Sequence, residues 1–125
     1  MAQYGRSILV VYTKPVEGRD EEFNRWYTDV HLPEVIRLDG FVAARRFRFV
    51  PEEGSDATPD LPFLAIYEIE EGRLPEARAA LAEALRSSRV AVAEGREPVL
   101  TPSDALHAER SVAWFEEIAA AGPAE

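Results

Sequence analysis

The 125-residue sequence has no cysteine. That absence excludes disulfides, thiolate nucleophiles and cysteine-held zinc or iron–sulfur centres. Basic residues are scarce beside acidic ones, 14 against 23, for a formal net charge of −9. Nucleic-acid binding and docking on anionic membrane both need positive surface, so neither partner is expected. No apolar run approaches the roughly 20 residues of a spanning helix. The first residues lack the basic-then-apolar order of a secretory signal. A cytoplasmic protein is therefore the expectation. With two histidines and no H-x-x-x-H, H-E-x-x-H or Asp/Gly-rich calcium loop, no metal site is expected. A glycine-rich phosphate loop and a G-x-S-x-G elbow are also missing, which disfavours nucleotide cofactors and serine-hydrolase chemistry. What is present is ordinary globular material, 46% hydrophobic and 30% charged. It suffices for one core and one domain over residues 1–125, with a small, polar tail at 119–125.

Hydrophobic patterning orders the chain. Ser7 to Lys14 is short, apolar and β-branched and ends before Pro15, which reads as a buried strand. Acidic Asp20, Glu21 and Glu22 then open a helix. It carries Phe23, Trp26, Tyr27, Val30 and Glu34 at spacings of three and four. Pro33 should kink it between Asp29 and Leu32, and Asp39-Gly40 stops it. Phe41 to Val50 reads as a second strand. Alternation puts Phe41, Ala43, Arg45, Phe47 and Phe49 on one face and Val42, Ala44, Arg46, Arg48 and Val50 on the other. Residues 51–62 form a loop. Phe63 to Ile69 is a third strand. Pro75 to Ser87 is a second helix, extending towards Glu94, with Leu74, Ala77, Leu81 and Leu85 on one face. Gly95 to Ala108 is mostly irregular. Ser111 to Ile118 suits a helix by local propensity, but two aromatics and the need for a fourth strand favour the sheet.

The resulting β-α-β-β-α-β order is the ferredoxin-like α+β arrangement: an antiparallel four-stranded sheet with two helices on one face. Its other face, with Val42, Ala44, Leu64 and Ile66 as candidate members, also needs cover. A second copy of the chain is the simplest cover, giving a homodimer.

Few residues offer chemistry. His31 lies one helical turn after Tyr27, so the two share a face, with Trp26 and Phe23 beside it. An imidazole at the edge of that apolar stripe accepts a proton near pH 7. The helix end ahead of Pro33 is expected to favour its charged form. The plainer alternative is a histidine packed on the sheet and bonded to a carbonyl. His107 reads as a surface residue. Arg46 is a candidate clamp for a substrate anion; the alternative is an ion pair with Glu68 or Glu70. Tyr12 and Tyr67 are mid-strand phenols that would polarise a substrate oxygen, or else are core. Trp26, Tyr27, Phe23 and Trp114 are candidates for an aromatic pocket, or again core. Asn24 is a weaker candidate for a substrate carbonyl.

The segment from Pro15 to Phe41 resembles the first helix of the EthD-like branch of the dimeric α+β barrel superfamily. The matching residues are the aromatic pair Trp26 and Tyr27, His31, Pro33, and Gly40-Phe41 leading into the second strand. About a quarter of the chain carries the motif; the later strands fit only the layout. The resemblance implies a ferredoxin-like protomer that pairs sheet to sheet with a second copy. It also implies a cavity between sheet and helices that the helical histidine reaches. Members of that superfamily include lactone isomerases, polyketide cyclases, cofactor-free monooxygenases, haem-degrading enzymes and proteins with no known activity. Three expectations follow. The first is a cofactor-independent isomerase or cyclase acting on a small apolar carbonyl or polyketide-like compound, with His31 as base. In it Tyr67 or Tyr12 polarises the oxygen and Arg46 holds an anion. The second is a cofactor-free monooxygenase or haem-binding enzyme. The third is a non-catalytic, ligand-binding or stress-associated dimeric module.

Overall fold

The computed structural model describes residues 6–123. Four strands form one antiparallel sheet: β1 (Ser7–Thr13), β2 (Phe41–Arg48), β3 (Phe63–Ile69) and β4 (Ser111–Glu116). Their spatial order is β2-β3-β1-β4, so the ferredoxin-like arrangement expected from the sequence is the one observed. The strand reading of residues 111–118 holds over Ser111–Glu116. Pairing with β1 runs from Ser7↔Glu116 to Tyr12↔Ser111 and satisfies backbone groups that local helix propensity alone would have paired differently. Residues 117–123 carry neither helix nor strand; Ala124 and Glu125 of the expected tail lie outside the described residues.

The first helical rod has three parts: α1 (Asp20–Trp26), a π-helical turn (Tyr27–His31) and α2 (Leu32–Ile36). Three carboxylates sit in the first turn of α1, where they offset the helix dipole. The break caused by Pro33 takes a different form from the expected kink. Proline offers no N–H to the carbonyl of Asp29, and its ring crowds that carbonyl. The backbone accommodates this by widening one turn earlier, and the Leu32 N–H bonds to the carbonyl of Tyr27, five residues back. The second rod is α3 (Leu74–Ala93), longer than the Pro75–Ser87 core predicted for it. Its buried stripe is Ala77, Ala84, Ser88 and Ala91, small side chains that allow close approach to the sheet. Leu85, expected on that stripe, is 44% exposed. The two rods meet at Gly40, which has φ +90°. A Cβ there would lie 2.9 Å from the Cβ of Ala77. Both the conformation and the space therefore require glycine.

Alternation along the strands sorts residues onto two faces. Leu9, Val11, Ala65, Tyr67, Ile69 and Trp114 face the helices and belong to or pack on the core. Tyr12, Leu64, Ile66, Phe47 and Phe115 face the other way. The predicted faces of β2 need one correction. A register irregularity between Phe41 and Ala43 inserts an extra residue, which shifts the alternation by one. Phe41 is thereby buried on the same side as Ala44 and Arg46, which pair with Tyr67 and Ala65. Ala44 thus belongs to the helix side, whereas Leu64 and Ile66 lie on the open face as expected.

Candidate functional site

The site begins with the widened turn. In a regular α-helix, residues five apart point about 140° away from one another. Across the π-helical turn they converge. The rings of Trp26 and His31 stack with centroids 4.8 Å apart and planes 25° apart. Tyr27 meets the imidazole edge-on at 4.9 Å, and Tyr67 on β3 approaches it at 6.5 Å. His31 is thus held by three aromatic rings. Its Nδ1 is buried without a hydrogen-bond partner among the described residues. Burial drives its pKa from 6.5 down to about 4, and Glu34 opposes the shift only in part. The sequence reading, in which the helix end favours the charged form, is corrected here: desolvation outweighs the dipole.

His31 and Trp26 form one wall of a cavity of about 470 Å³. Leu85, Ser88, Arg89 and Val92 of α3 form the second wall, and Leu100, Thr101, Pro102, Ser103 and Leu106 the third. The cavity therefore lies between the helices and the 95–108 segment, and the expected location between sheet and helices is corrected. The reason is that aromatic rings and the small-residue stripe of α3 fill the space over the sheet.

The third wall is irregular, but it is fixed at many points. The indole Nε1 of Trp26 donates to the Thr101 carbonyl at 3.0 Å. Both carboxylate oxygens of Glu34 accept from Thr101, one from its backbone N–H at 2.7 Å and one from its hydroxyl at 2.6 Å. The Leu100 N–H donates to the buried Ser88 hydroxyl at 2.9 Å. Further along, Val16 N–H bonds to the Ala105 carbonyl and His107 N–H to the Lys14 carbonyl. Sequence reading passed over Glu34, Ser88, Leu100, Thr101 and Leu106. Two signals were available: a serine within an alanine stripe, and an acid three residues after His31.

The other candidates fall into two groups behind or away from the cavity. Tyr27 and Tyr67 lie beneath His31, buried, and the Tyr67 hydroxyl donates to that of Tyr27 at 3.3 Å. Burial pushes both phenols up, Tyr67 the further. Arg46 lies over the rings of Tyr27, Phe23 and Phe63, at 4.5, 5.4 and 5.5 Å. It donates to the Thr28 hydroxyl at 3.1 Å and to the Asn24 carbonyl at 3.4 Å. One guanidinium nitrogen is buried and unpaired among the described residues, and burial lowers the Arg46 pKa. Arg45, not Arg46, pairs with Glu68. None of Tyr27, Tyr67 and Arg46 lines the cavity, so the expectation that they touch a ligand there is corrected; they stand behind His31. The Asn24 side chain is spent on the Asp20 carbonyl.

Three expectations about site membership are corrected. Tyr12 lies on the open face, paired with Leu64 and Ser111, because its neighbours Val11 and Thr13 take the helix side. The sheet separates it from His31. Phe23 is wholly buried in the core. Trp114 packs on Phe41 under Arg78, away from the cavity. His107 accepts a bond from the Glu109 N–H. Among the described residues no group of three or more His, Asp or Glu is placed to hold a metal ion, and no helix is long and apolar enough to cross a membrane.

Neither a family model nor a curated relative matches the sequence. The fold is similar to a crystal structure from Shewanella loihica PV-4 described as a "putative monooxygenase". The TM-score is 0.54 at 13% sequence identity, over 95% of this chain and 100% of that one. At that identity the likeness speaks to fold, and fold alone does not carry function. An α+β sheet-and-helix architecture of ferredoxin-like order, shared with a protein so described, is where the comparisons leave this chain.

Proposed function

We propose that this chain binds a small, mostly apolar carbonyl or hydroxy-aromatic compound in the cavity beside His31 and that His31 takes a proton from it. One observation carries the reading: an imidazole kept neutral by burial, its buried Nδ1 without a partner among the described residues, in the wall of an apolar cavity of about 470 Å³. A base held to a pKa of about 4 is fully available at neutral pH but weak. It suits a proton that is already acidic, on a carbon between two carbonyls or on a phenol acidified by electron-withdrawing ring substituents. The C–H electron pair passes into an enolate and the proton to the imidazole. Return of that proton at another carbon is isomerisation, and attack of the enolate on a second carbonyl is cyclisation. Neither needs an oxidant. Tyr27 and Trp26 hold the imidazole, and Tyr67 and Arg46 hold Tyr27; these are positioning residues. The Trp26, Tyr27, His31, Pro33 and Gly40-Phe41 pattern supports placing the chain in the EthD-like branch. A second copy packed on the open sheet face completes the proposal.

The test is deuterium exchange at the central carbon of an open-chain 1,3-diketone, which keeps its proton at neutral pH, in heavy water, followed by NMR. The protein should accelerate exchange, and His31→Gln should lose roughly a hundredfold or more of that acceleration. The rate should climb as pH rises through about 4, where the imidazole loses its proton, and then level off. Equal exchange by the variant would sink the assignment.

A second reading is favoured by the fold shared with the protein described as a monooxygenase. The same proton removal from a hydroxy-aromatic leaves an anion that can reduce dioxygen by four electrons: a ring C–H carbon becomes a quinone carbonyl by taking one oxygen atom, and the other oxygen leaves as water with the two hydrogens lost from the O–H and the C–H. Oxygen uptake with a hydroxy-aromatic probe distinguishes the two. A haem ligand is a poor fit to His31. A metal-bound imidazole nearly always donates its other N–H to an acceptor, and Nδ1 has none among the described residues.

A further inference from the structure

The lining of the His31 cavity is almost wholly apolar, and Arg89 on α3, an exposed residue, is the one permanently charged side chain among the described residues that line it. Arg19, Arg73, Arg86 and Arg96 each hold a carboxylate. Arg89, one turn beyond Arg86 on an exposed helix face, holds none among the described residues; nor do Arg37, Arg46, Arg48, Arg78 and Arg110, but of these six only Arg89 lines the cavity. The acids nearest the cavity are already engaged. Both oxygens of Glu34 accept from Thr101. On the far side of Trp26, Glu22 and Asp104 share Arg19. Its position, rather than its lack of a carboxylate, sets Arg89 apart: an exposed guanidinium at an apolar cavity is free to meet an anion that enters it. A guanidinium also binds a carboxylate with two parallel hydrogen bonds, which few other groups match.

We propose that the cavity takes an amphipathic organic anion, its carboxylate held by Arg89 and its apolar body packed among Leu85, Val92, Leu100 and Leu106. The inference rests on the reading that this cavity binds a small molecule, and it deepens that reading by naming the ligand's charge. It also orients the ligand. With the acidic group at Arg89, the far end lies towards Trp26 and His31, so the reacting carbonyl or hydroxyl is set apart from the carboxylate by an apolar spacer. Arg89 is a specificity-determining residue in this scheme.

Calorimetric titration of the full chain with octanoate, octanol and octyltrimethylammonium tests it, with the His31 and Trp26 ring resonances reporting location. The wild-type protein should bind octanoate about fivefold to tenfold more tightly than octanol and the ammonium least. Arg89→Gln should equalise octanoate and octanol, Arg89→Glu should favour the ammonium, and Arg89→Lys should keep part of the preference for the acid. Octanol and octanoate binding equally to the wild type, or a preference that survives in Arg89→Gln, would overturn the anion assignment and leave the cavity reading standing. No binding of any of the three, with unmoved His31 and Trp26 resonances, would overturn both.

Discussion

The two faces of the sheet are built from the same strands and have opposite fates. On the helix side, Phe23, Tyr27, Tyr67 and Ile69 are sealed against one another and against the small-residue stripe of α3. On the other side Tyr12 is 42%, Phe47 42% and Phe115 53% exposed. Strand alternation cannot distinguish the two, because both faces read as apolar. The difference is made by what the rest of the chain supplies. Two helical rods and the 95–108 segment all pack on one side, while among the described residues the other carries no helix and meets the 59–62 segment only beside Tyr12, Phe47 and Leu64. The lesson concerns where energy is invested. Single-chain stability rests on the helix face, while the open face leaves apolar area exposed.

Substitutions can break or sharpen this contrast. The largest effect is expected on the sealed side. Phe23→Ala removes a fully buried ring from beneath Arg46 and should cost about 3–5 kcal/mol, measured by denaturant unfolding. A loss below about 1 kcal/mol would mean the helix face is less tightly packed than its burial implies. Next comes His31. The unfolded chain takes up the imidazole proton below about pH 6.5, and the folded chain only near pH 4. Folded protein should therefore lose stability as pH falls through that window, by roughly 2–3 kcal/mol. His31→Gln should flatten that part of the pH profile, and a profile of unchanged slope would refute the assignment. Third, Thr101→Val removes the hydroxyl bonded to Glu34 and should cost about 1–2 kcal/mol. It should also weaken binding of octanoate in the cavity, since the third wall is fixed through this residue. The smallest stability effect is expected on the open face. Phe115→Glu should change the unfolding free energy of the dilute single chain by no more than about 0.5 kcal/mol. If a second copy covers this face, light scattering should show the mass of the concentrated protein falling by half in the variant. An unchanged mass would remove the sheet-to-sheet pairing proposed above.

Much of the architecture was legible because its causes are local. Turn residues, acidic helix starts and β-branched runs fixed element order, and the strands end within a residue or two of where Pro15, Pro51 and Gly72 require. The pairing of Tyr27 with His31 was also visible, because it depends on four-residue spacing along one helix; the stacking of Trp26 on His31 was not, because it depends on the widened turn. What escaped the sequence was set by tertiary contact. The irregularity near Val42 has no signature in its alternating neighbours, yet it decides which face Phe41 and Arg46 occupy. Ring alternation gave no warning that Tyr12 and Tyr67, both mid-strand phenols, would be separated by the thickness of the sheet. The third cavity wall has no period to read, since its order comes from Glu34, Ser88 and Trp26, residues distant in the sequence.

The π-helical turn has a consequence for how such a site is gained or lost. Widening one turn accommodates a single additional residue without rebuilding the elements at either end. Excising Thr28 or Val30 would let the rod close as an ordinary α-helix up to Pro33. The histidine would then stand four residues after Trp26, about 40° from it around the helix, so the imidazole would stay beside the indole and the later elements would keep their places. The damaging change is the other one: closing the turn while keeping all five residues would set the two rings about 140° apart and take the imidazole out of the cavity wall. The site therefore depends on the match between turn type and spacing, and two chains differing by that one deletion, the longer with the wide turn and the shorter without it, would share the pocket as well as the fold.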